Sequence, residues 1–213
     1  MKRLVAGSTN PAKIDALRAL LAPEVAVIAS PDPGPPLIDE DGDTIAEVTA
    51  NKAKAWAEWL NANDVSSPVI VTDGGLTIPA LATWNPTRTR RFAGENRTPP
   101  QLAQALLELA SELEGEARQI GWTEVAAIVR PDGQSSIFTA ESPPGLLARS
   151  IRPGDLSESD GFWVPAVWLC PEFGMKRLVD LTDEERSRRF DHWDRLGAAL
   201  RCDLDSSCTD ESR

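Results

Sequence analysis

The sequence predicts an α/β fold, in which the strands of a mixed sheet alternate with amphipathic helices. The chain opens with a strand, a short polar loop and a helix: an apolar run at residues 4–6 is followed by a helical repeat that begins at Ile14. A second amphipathic helix, over residues 44–60, precedes the β-branched run 69–71, which is typical of a strand buried on both faces. A turn sequence at residues 130–133 then indicates an antiparallel hairpin.

The remaining segments fit one domain over residues 1–201. The predicted elements are a strand at Val25–Ala29, helices at 99–113 and 182–200, and a strand at 164–169. Residues 202–213 are acidic and rich in serine, so we expect a disordered tail there.

Composition excludes several classes of function. A net charge of −11 argues against sequence-independent binding to nucleic acid, which needs a basic surface. No apolar run is long enough to cross a bilayer and the start is unlike a signal peptide, so we expect a cytoplasmic protein without a membrane partner. Three cysteines and one histidine form neither a disulfide framework nor a zinc site, and Cys170 is expected to be a buried apolar residue.

The loop after the first strand has the features of an anion site. Asn10 suits the N-cap and Pro11 the first position of the helix, so Ser8, Thr9 and Asn10 are expected to surround free backbone N–H groups. Lys13 lies one turn further along. The alternative is a capped surface helix with a solvated lysine.

Acidic residues and a second lysine complete a candidate metal–polyphosphate site. Asp39 and Glu40 lie in an acidic loop, Glu47 and Lys52 lie on the second helix, and Asp73 follows the buried strand. Carboxylate oxygens bind Mg²⁺, and lysines provide positive charges for phosphate oxygens. The alternative is that the acidic loop is merely solvated.

Five segments occur in a recognisable order: STNPAK at 8–13, DEDG at 39–42, IAEVTANKA at 45–53, TDGGL at 72–76 and TRRFAGE at 89–95. This order resembles the inosine/xanthosine triphosphate pyrophosphatase family, whose members hydrolyse non-standard purine nucleoside triphosphates. The corresponding family patterns are T-x-N-x-x-K, E-E-T-G, F-x-E-N-A-x-x-K-A, D-D-S-G-L and S-A-R-Y-x-G-E. The correspondence extends from residue 2 to about residue 200.

The resemblance implies a mixed, twisted sheet flanked by helices, with two lobes around a central nucleotide cleft, in a protein that forms a homodimer. It also implies Mg²⁺-dependent conversion of a nucleoside triphosphate to the monophosphate and pyrophosphate. The positions expected to bind phosphate are Ser8, Thr9, Asn10, Lys13 and Lys52. Those expected to bind the metal are Asp39, Glu40 and Asp73. The catalytic group is expected to comprise Asp73, Lys13 and Glu47.

Base recognition is the part of the family pattern that this chain alters. The family motif F-G-[YW]-D-P corresponds to GFWVP at residues 161–165, and S-H-R corresponds to DHW at 191–193. Phe162, Trp163 and His192 are therefore the expected base-binding residues, although Trp163 equally suits the core and His192 suits a helix surface.

Three residues of this chain differ from the family motifs at positions where the family has a polar side chain. Val164 replaces the aspartate of the base motif, Thr72 replaces the first aspartate of D-D-S-G, and Val48 replaces the asparagine of the helix motif. Because hydrogen-bonding groups decide which base is accepted, these changes leave open a base other than that of inosine or xanthosine. The alternatives are a related xanthosine triphosphatase and a catalytically weakened nucleotide-binding protein.

Overall fold

The computed structural model describes residues 2–31, 34–35, 38, 42–94, 96–156, 162–189 and 191–205. Its strands are β1 Lys2–Ala6, β2 Val25–Ala29, β3 Val69–Thr77, β4 Gln119–Val129, β5 Ser135–Glu141, β6 Gly145–Leu147, β7 Trp168–Cys170 and β8 Lys176–Arg177. Its helices are α1 Pro11–Leu21, α2 Ile45–Ala62, α3 Pro99–Leu109, α4 Val164–Val167, α5 Asp183–Arg189 and α6 His192–Leu204. In these ranges, no helix is both long enough and apolar enough to span a membrane.

The strands form a mixed sheet in the order β2-β1-β3-β4-β6-β7-β8, with β5 paired to β4. Strand β1 runs parallel to β2, where Lys2 pairs with Val25, and parallel to β3, where Val5 pairs with Val69. The pairs β4-β6, β6-β7 and β7-β8 are antiparallel. The predicted α/β class with a mixed sheet flanked by helices is confirmed.

The chain divides into two compact units. The first comprises Met1–Gly74, Glu124–Ala140 and His192–Arg213, and the second comprises residues 75–123 and 141–191. Strands β3 and β4 contribute residues to both units.

In the first unit, the sheet is buried on both faces. Leu4 and Ile70 pack on one face with apolar residues of α1 and α6, while Val5 and Val71 pack on the other face with Trp56 of α2. This division follows from the two-residue period of a strand, which sends successive side chains to opposite faces. The β-branched run at 69–71 is therefore buried on both faces, as its composition predicted.

The second unit has a separate core around α3. Leu102 and Leu106 of that helix pack with Ile120, Leu147 and Trp168 from three strands. Strand β6 approaches Trp168 very closely, because a Cβ atom added to Gly145 would lie 2.0 Å from the indole Nε1.

Several element boundaries differ from those predicted. Strand β3 continues to Thr77, past the two glycines that were expected to end it, because Leu76 is buried in the core of the second unit. Residues 164–169 were wrongly assigned to a single strand: Pro165 occupies the first turn of α4, a position that proline favours, and β7 begins only at Trp168.

The predicted helix at 182–200 is two helices. Thr182 and Glu185 form the predicted cap, with the Glu185 backbone N–H donating to Thr182 Oγ1 at 3.2 Å. Helix α5 then ends at Arg189 and α6 begins at His192. Helix α6 also reaches Leu204, so the boundary at residue 201 placed the start of the predicted tail too early. Residues 206–213 lie outside the described part of the chain.

Candidate active site

The loop before α1 adopts the predicted capped start. Asn10 Oδ1 accepts a hydrogen bond from the Ala12 backbone N–H at 3.0 Å, and Ser8 Oγ accepts one from the Asn10 N–H at 3.1 Å. Pro11 occupies the first helical position. Thr9 and Asn10 are exposed and Ser8 is half-buried. Their roles in phosphate binding stay predictions.

Lys13 extends from the first turn of α1 to strand β3. Its ammonium group donates to the Thr72 carbonyl oxygen at 3.0 Å and lies 3.5 Å from Asp73 Oδ1. The side chain is one-third exposed. The solvated-lysine alternative is therefore wrong, because the Lys13 ammonium group donates to a backbone carbonyl and lies beside a carboxylate.

Lys52 reaches the same carboxylate from α2. Its Nζ donates to Asp73 Oδ2 at 2.6 Å, while the Gly74 backbone N–H donates to Oδ1 at 3.0 Å. Asp73 is thus held by two lysines from different helices and by its own strand. The side chains of Lys52 and Asp73 are 17% and 23% exposed, which leaves this group open to a ligand from solvent.

These charges keep Asp73 ionised. Burial by itself would raise the pKa of the Asp73 carboxyl, but the charges of Lys13 and Lys52 and the hydrogen bonds from Lys52 and Gly74 hold that pKa below its ordinary value. The carboxylate is available as a metal ligand or as an acceptor for water across the neutral range.

The packing of neighbouring strands explains why this group forms here. Strand β1 ends at Ala6, and the Gly7 N–H makes a last hydrogen bond of 2.8 Å to the Ile70 carbonyl. A Cβ atom on Gly7 would lie 2.6 Å from Val71 Cγ2, so only glycine lets the loop pass this close to β3. Asp73 was predicted to lie at the end of its own strand. It lies within β3 instead, at a point beyond the end of the neighbouring strand β1.

Glu47 was predicted to be catalytic, and the structure shows that its carboxylate also caps a helix. Its Oε2 accepts hydrogen bonds from the backbone N–H groups of Asp43 at 3.1 Å and Thr44 at 3.0 Å, while its own N–H donates to Thr44 Oγ1. This capping box starts α2. Asp39 and Glu40, the other two predicted metal ligands, lie outside the described residues.

The described residues contain no group of three or more His, Cys, Asp or Glu side chains arranged to hold a metal ion. Of the three predicted metal ligands, Asp73 is the one that lies within the described residues. Mg²⁺ commonly takes one or two carboxylates from a protein and its other ligands from water and phosphate, so a single ordered carboxylate beside two lysines fits a metal that binds together with a polyphosphate.

The predicted base-binding aromatic residues differ in exposure. Phe162 is 50% exposed and its ring makes an edge-to-face contact with Trp122, at 5.1 Å between centroids and 83° between planes. Trp163 is 3% exposed and packs in the core of the second unit, 6.0 Å from Phe92. Trp163 is therefore a core residue, which was the alternative to its predicted role in base binding. Phe162, by contrast, has a ring that a ligand can reach.

His192 begins α6 in the first unit. It is half-buried, and its ring lies 5.9 Å from that of Trp193. A partly exposed position at the start of a helix is compatible with the helix-surface alternative, and a contact between His192 and a base stays a prediction.

The altered motif positions are buried. Val48 and Val164 are 3% and 2% exposed, and both belong to apolar packing. Thr72, also buried, provides its backbone carbonyl to Lys13. Neither this carbonyl contact nor the contact of Trp122 with Phe162 could be predicted from local sequence patterns, because both join residues far apart in the chain.

A model described as the Ham1 family matches residues 4–192, which include Lys13, Lys52, Asp73, Phe162 and His192. The chain belongs to the Ham1 family. The resemblance inferred from the order of its motifs is therefore confirmed.

Curated relatives of this Ham1 family chain have consistent names. A dITP/XTP pyrophosphatase of Pectobacterium atrosepticum is 28% identical over 211 residues, covering 97% of this chain and 98% of the relative. Another dITP/XTP pyrophosphatase, from Streptomyces coelicolor, is 29% identical over 191 residues, covering 88% and 90%.

Solved structures show the same fold. The Ham1 protein of Staphylococcus aureus aligns with a TM-score of 0.77 at 23% identity, covering 97% of this chain and all of that protein. A HAM1 protein from Coxiella burnetii aligns with a TM-score of 0.75 at 24% identity, covering 94% and 99%.

Proposed function

We propose that this protein is a nucleoside triphosphate pyrophosphatase that converts non-standard purine nucleotides such as dITP and XTP to the monophosphate and pyrophosphate. The observation that carries the proposal is the contact of Asp73 with Lys13 and Lys52. Membership of the Ham1 family and the names of the relatives support the same reaction.

In this proposal the two lysines bind phosphate oxygens and the Asp73 carboxylate binds the metal or orients the attacking water. Phosphoanhydride cleavage needs an aligned water molecule and neutralisation of the charge that develops on the leaving pyrophosphate. Mg²⁺, when bound, would supply part of that neutralisation. Ser8, Thr9 and Asn10 are proposed to bind phosphate beside the start of α1.

Base recognition is proposed for Phe162, whose exposed ring can stack on any purine. His192 is the proposed polar partner. Trp163 leaves little of its ring accessible, so we propose that it supports its neighbours and does not itself stack on the base. We also propose that the protein is a homodimer, as the resemblance implies, and that it is cytoplasmic.

The activity test is a panel of NTPs and dNTPs, including dITP and XTP, incubated with and without Mg²⁺ while pyrophosphate is measured. We expect Mg²⁺-dependent turnover with preference for a non-standard purine. Binding of these nucleotides without any turnover would instead support the weakened nucleotide-binding alternative, which the buried Val164 and Thr72 at altered motif positions favour.

Asp73→Asn tests the central carboxylate. We expect turnover to fall by about 100-fold or more, the order contributed by a positioned acid–base or metal-binding group, while circular dichroism shows an unchanged fold. Turnover close to that of the unchanged protein would refute the assignment.

Lys13→Ala tests the phosphate contact. We expect KM for the triphosphate to rise by about tenfold, as the loss of one charge-assisted hydrogen bond predicts. Lys54→Ala is the matched control, because Lys54 lies on α2 with its side chain 76% exposed and pairs only loosely with Glu58, at 3.9 Å. Equal KM values for the two variants would contradict a phosphate contact by Lys13.

A further inference from the structure

Trp122 of the second unit contacts the half-exposed ring of Phe162. The two rings lie 5.1 Å apart and nearly perpendicular. Phe162 is half exposed, so one part of its ring faces solvent while another faces the indole. An edge-to-face contact of this kind restricts the orientation of the more exposed ring.

Trp122 is itself firmly held. Its backbone N–H donates to Ser142 Oγ at 3.0 Å, and its carbonyl accepts from the Ser142 N–H at 2.8 Å. The indole also packs against the core that contains Ile120 and Leu147. Trp122 is thus a fixed surface, whereas Phe162 belongs to no helix or strand and precedes the short helix α4.

We propose that Trp122 is a positioning residue for base binding, which sets the orientation of Phe162 so that its free face can stack on the purine. The inference rests on the proposed function, in which Phe162 contacts the base. Trp122 then contributes to the part of the nucleotide affinity that comes from contacts with the base, and not to the part that comes from contacts with the phosphates. Because a ring held in place loses less freedom when a ligand stacks on it, the contact increases affinity for every base with an aromatic face.

The test compares two ligands that differ in possessing a base: inorganic tripolyphosphate, and a dITP analogue with nitrogen bridging the α and β phosphorus atoms so that it is not cleaved. Isothermal titration calorimetry in the presence of Mg²⁺ gives a dissociation constant for each. The ratio of the tripolyphosphate constant to the analogue constant is the contribution of the base. We expect Trp122→Ala to lower this ratio by about two- to tenfold, the range of one aromatic pair, and to leave the tripolyphosphate constant unchanged.

Trp122→Phe retains an aromatic partner and is expected to recover most of the ratio, which a purely structural loss would not explain. Trp59→Ala is the matched control, since Trp59 makes a similar edge-to-face contact with Trp56 in the first unit, at 5.9 Å and 80°. Its ratio is expected to equal that of the unchanged protein.

The inference is overturned if Trp122→Ala keeps the full ratio, if it weakens both ligands equally, or if the unchanged protein shows no preference for the ligand with a base. Failure of the proposed function is a separate result. A protein that prefers the dITP analogue but never releases pyrophosphate from dITP would lose its assignment as a pyrophosphatase, while the role of Trp122 would still be decided by the ratio.

Discussion

Asp73 is the residue at the centre of the candidate site, because its carboxylate contacts the ammonium groups of both Lys13 and Lys52. Its place after a β-branched run, and Lys13 after a capped helix start, identified both residues as candidates. The convergence of Lys13 and Lys52 on one carboxylate joins positions 60 and 21 residues from Asp73, and local periodicity carries no information on such distances.

The lowered pKa of Asp73 makes its contribution to stability depend on pH. A carboxyl whose pKa is lower in the folded protein stabilises that state above its ordinary value of 3.8, and this stabilisation is lost as the pH falls through the folded value. We expect the Tm difference between the unchanged protein and Asp73→Asn to be steady from pH 7 to about 5 and to shrink below about pH 4. Thermal unfolding followed by circular dichroism measures the Tm of both proteins. A Tm difference that is as large at pH 3 as at pH 7 would contradict a contribution of ionised Asp73 to stability.

Cys170 gives a second prediction for a single residue. Burial, the largest effect, raises the pKa of its thiol to about 11, so very little thiolate is present at pH 8. We expect iodoacetamide at pH 8 to modify the exposed Cys202 and to leave Cys170 unmodified in the folded protein. Peptide mass mapping measures both, with labelling in urea as the control. Equal labelling of the two in the folded protein would show that Cys170 is accessible.

Among the elements, α2 connects folding to the candidate site. Its amphipathic repeat was sufficient to predict it, and the same helix places Lys52 beside Asp73. The sequence analysis placed Glu47 in the catalytic group and did not consider that its carboxylate could cap the helix. The hydrogen bonds that it accepts from the Asp43 and Thr44 N–H groups show that it caps α2, while its catalytic role stays a prediction.

Substitution of Glu47 separates these roles. Glu47→Gln keeps a side-chain oxygen for the capping box, so we expect stability and turnover close to those of the unchanged protein. Glu47→Ala removes the cap and is expected to cost about 1 kcal/mol of unfolding free energy in urea denaturation. A stable Glu47→Gln variant without turnover would show that the carboxylate has a chemical role.

At the scale of the whole molecule, the chain returns to the first unit through α6. Asp203 accepts a hydrogen bond from Arg130 at 2.6 Å and another from Ser136 at 3.1 Å, and Leu204 is buried. A tail was predicted from residue 202 because the segment that starts there is acidic and polar. Composition alone does not show that Asp203 pairs with Arg130, which lies beside a hairpin more than seventy residues earlier. The division into two units is likewise a property of distant contacts.

Two truncations test this end of the chain. Ending the protein after Arg201 removes the Asp203 contacts and the apolar side chain of Leu204, and we expect a loss of about 2–4 kcal/mol of unfolding free energy. Ending it after Asp205 retains both and is expected to unfold at a clearly higher urea concentration. Identical urea midpoints for the two truncated proteins would show that the last turn of α6 contributes nothing to stability.

In the proposed function, the ion pairs of Asp73 also affect which anions can bind the two lysines. Restricting a lysine side chain costs roughly 1.5–2 kcal/mol of rotamer entropy, and the contacts with Asp73 impose that cost during folding, before a substrate arrives. A lone inorganic phosphate must displace the carboxylate and leaves it without a cation. A triphosphate that carries its own divalent ion replaces both halves of the contact at once. In the proposed function, we therefore expect the Asp73 carboxylate to favour binding of a metal-complexed polyphosphate over simple phosphate.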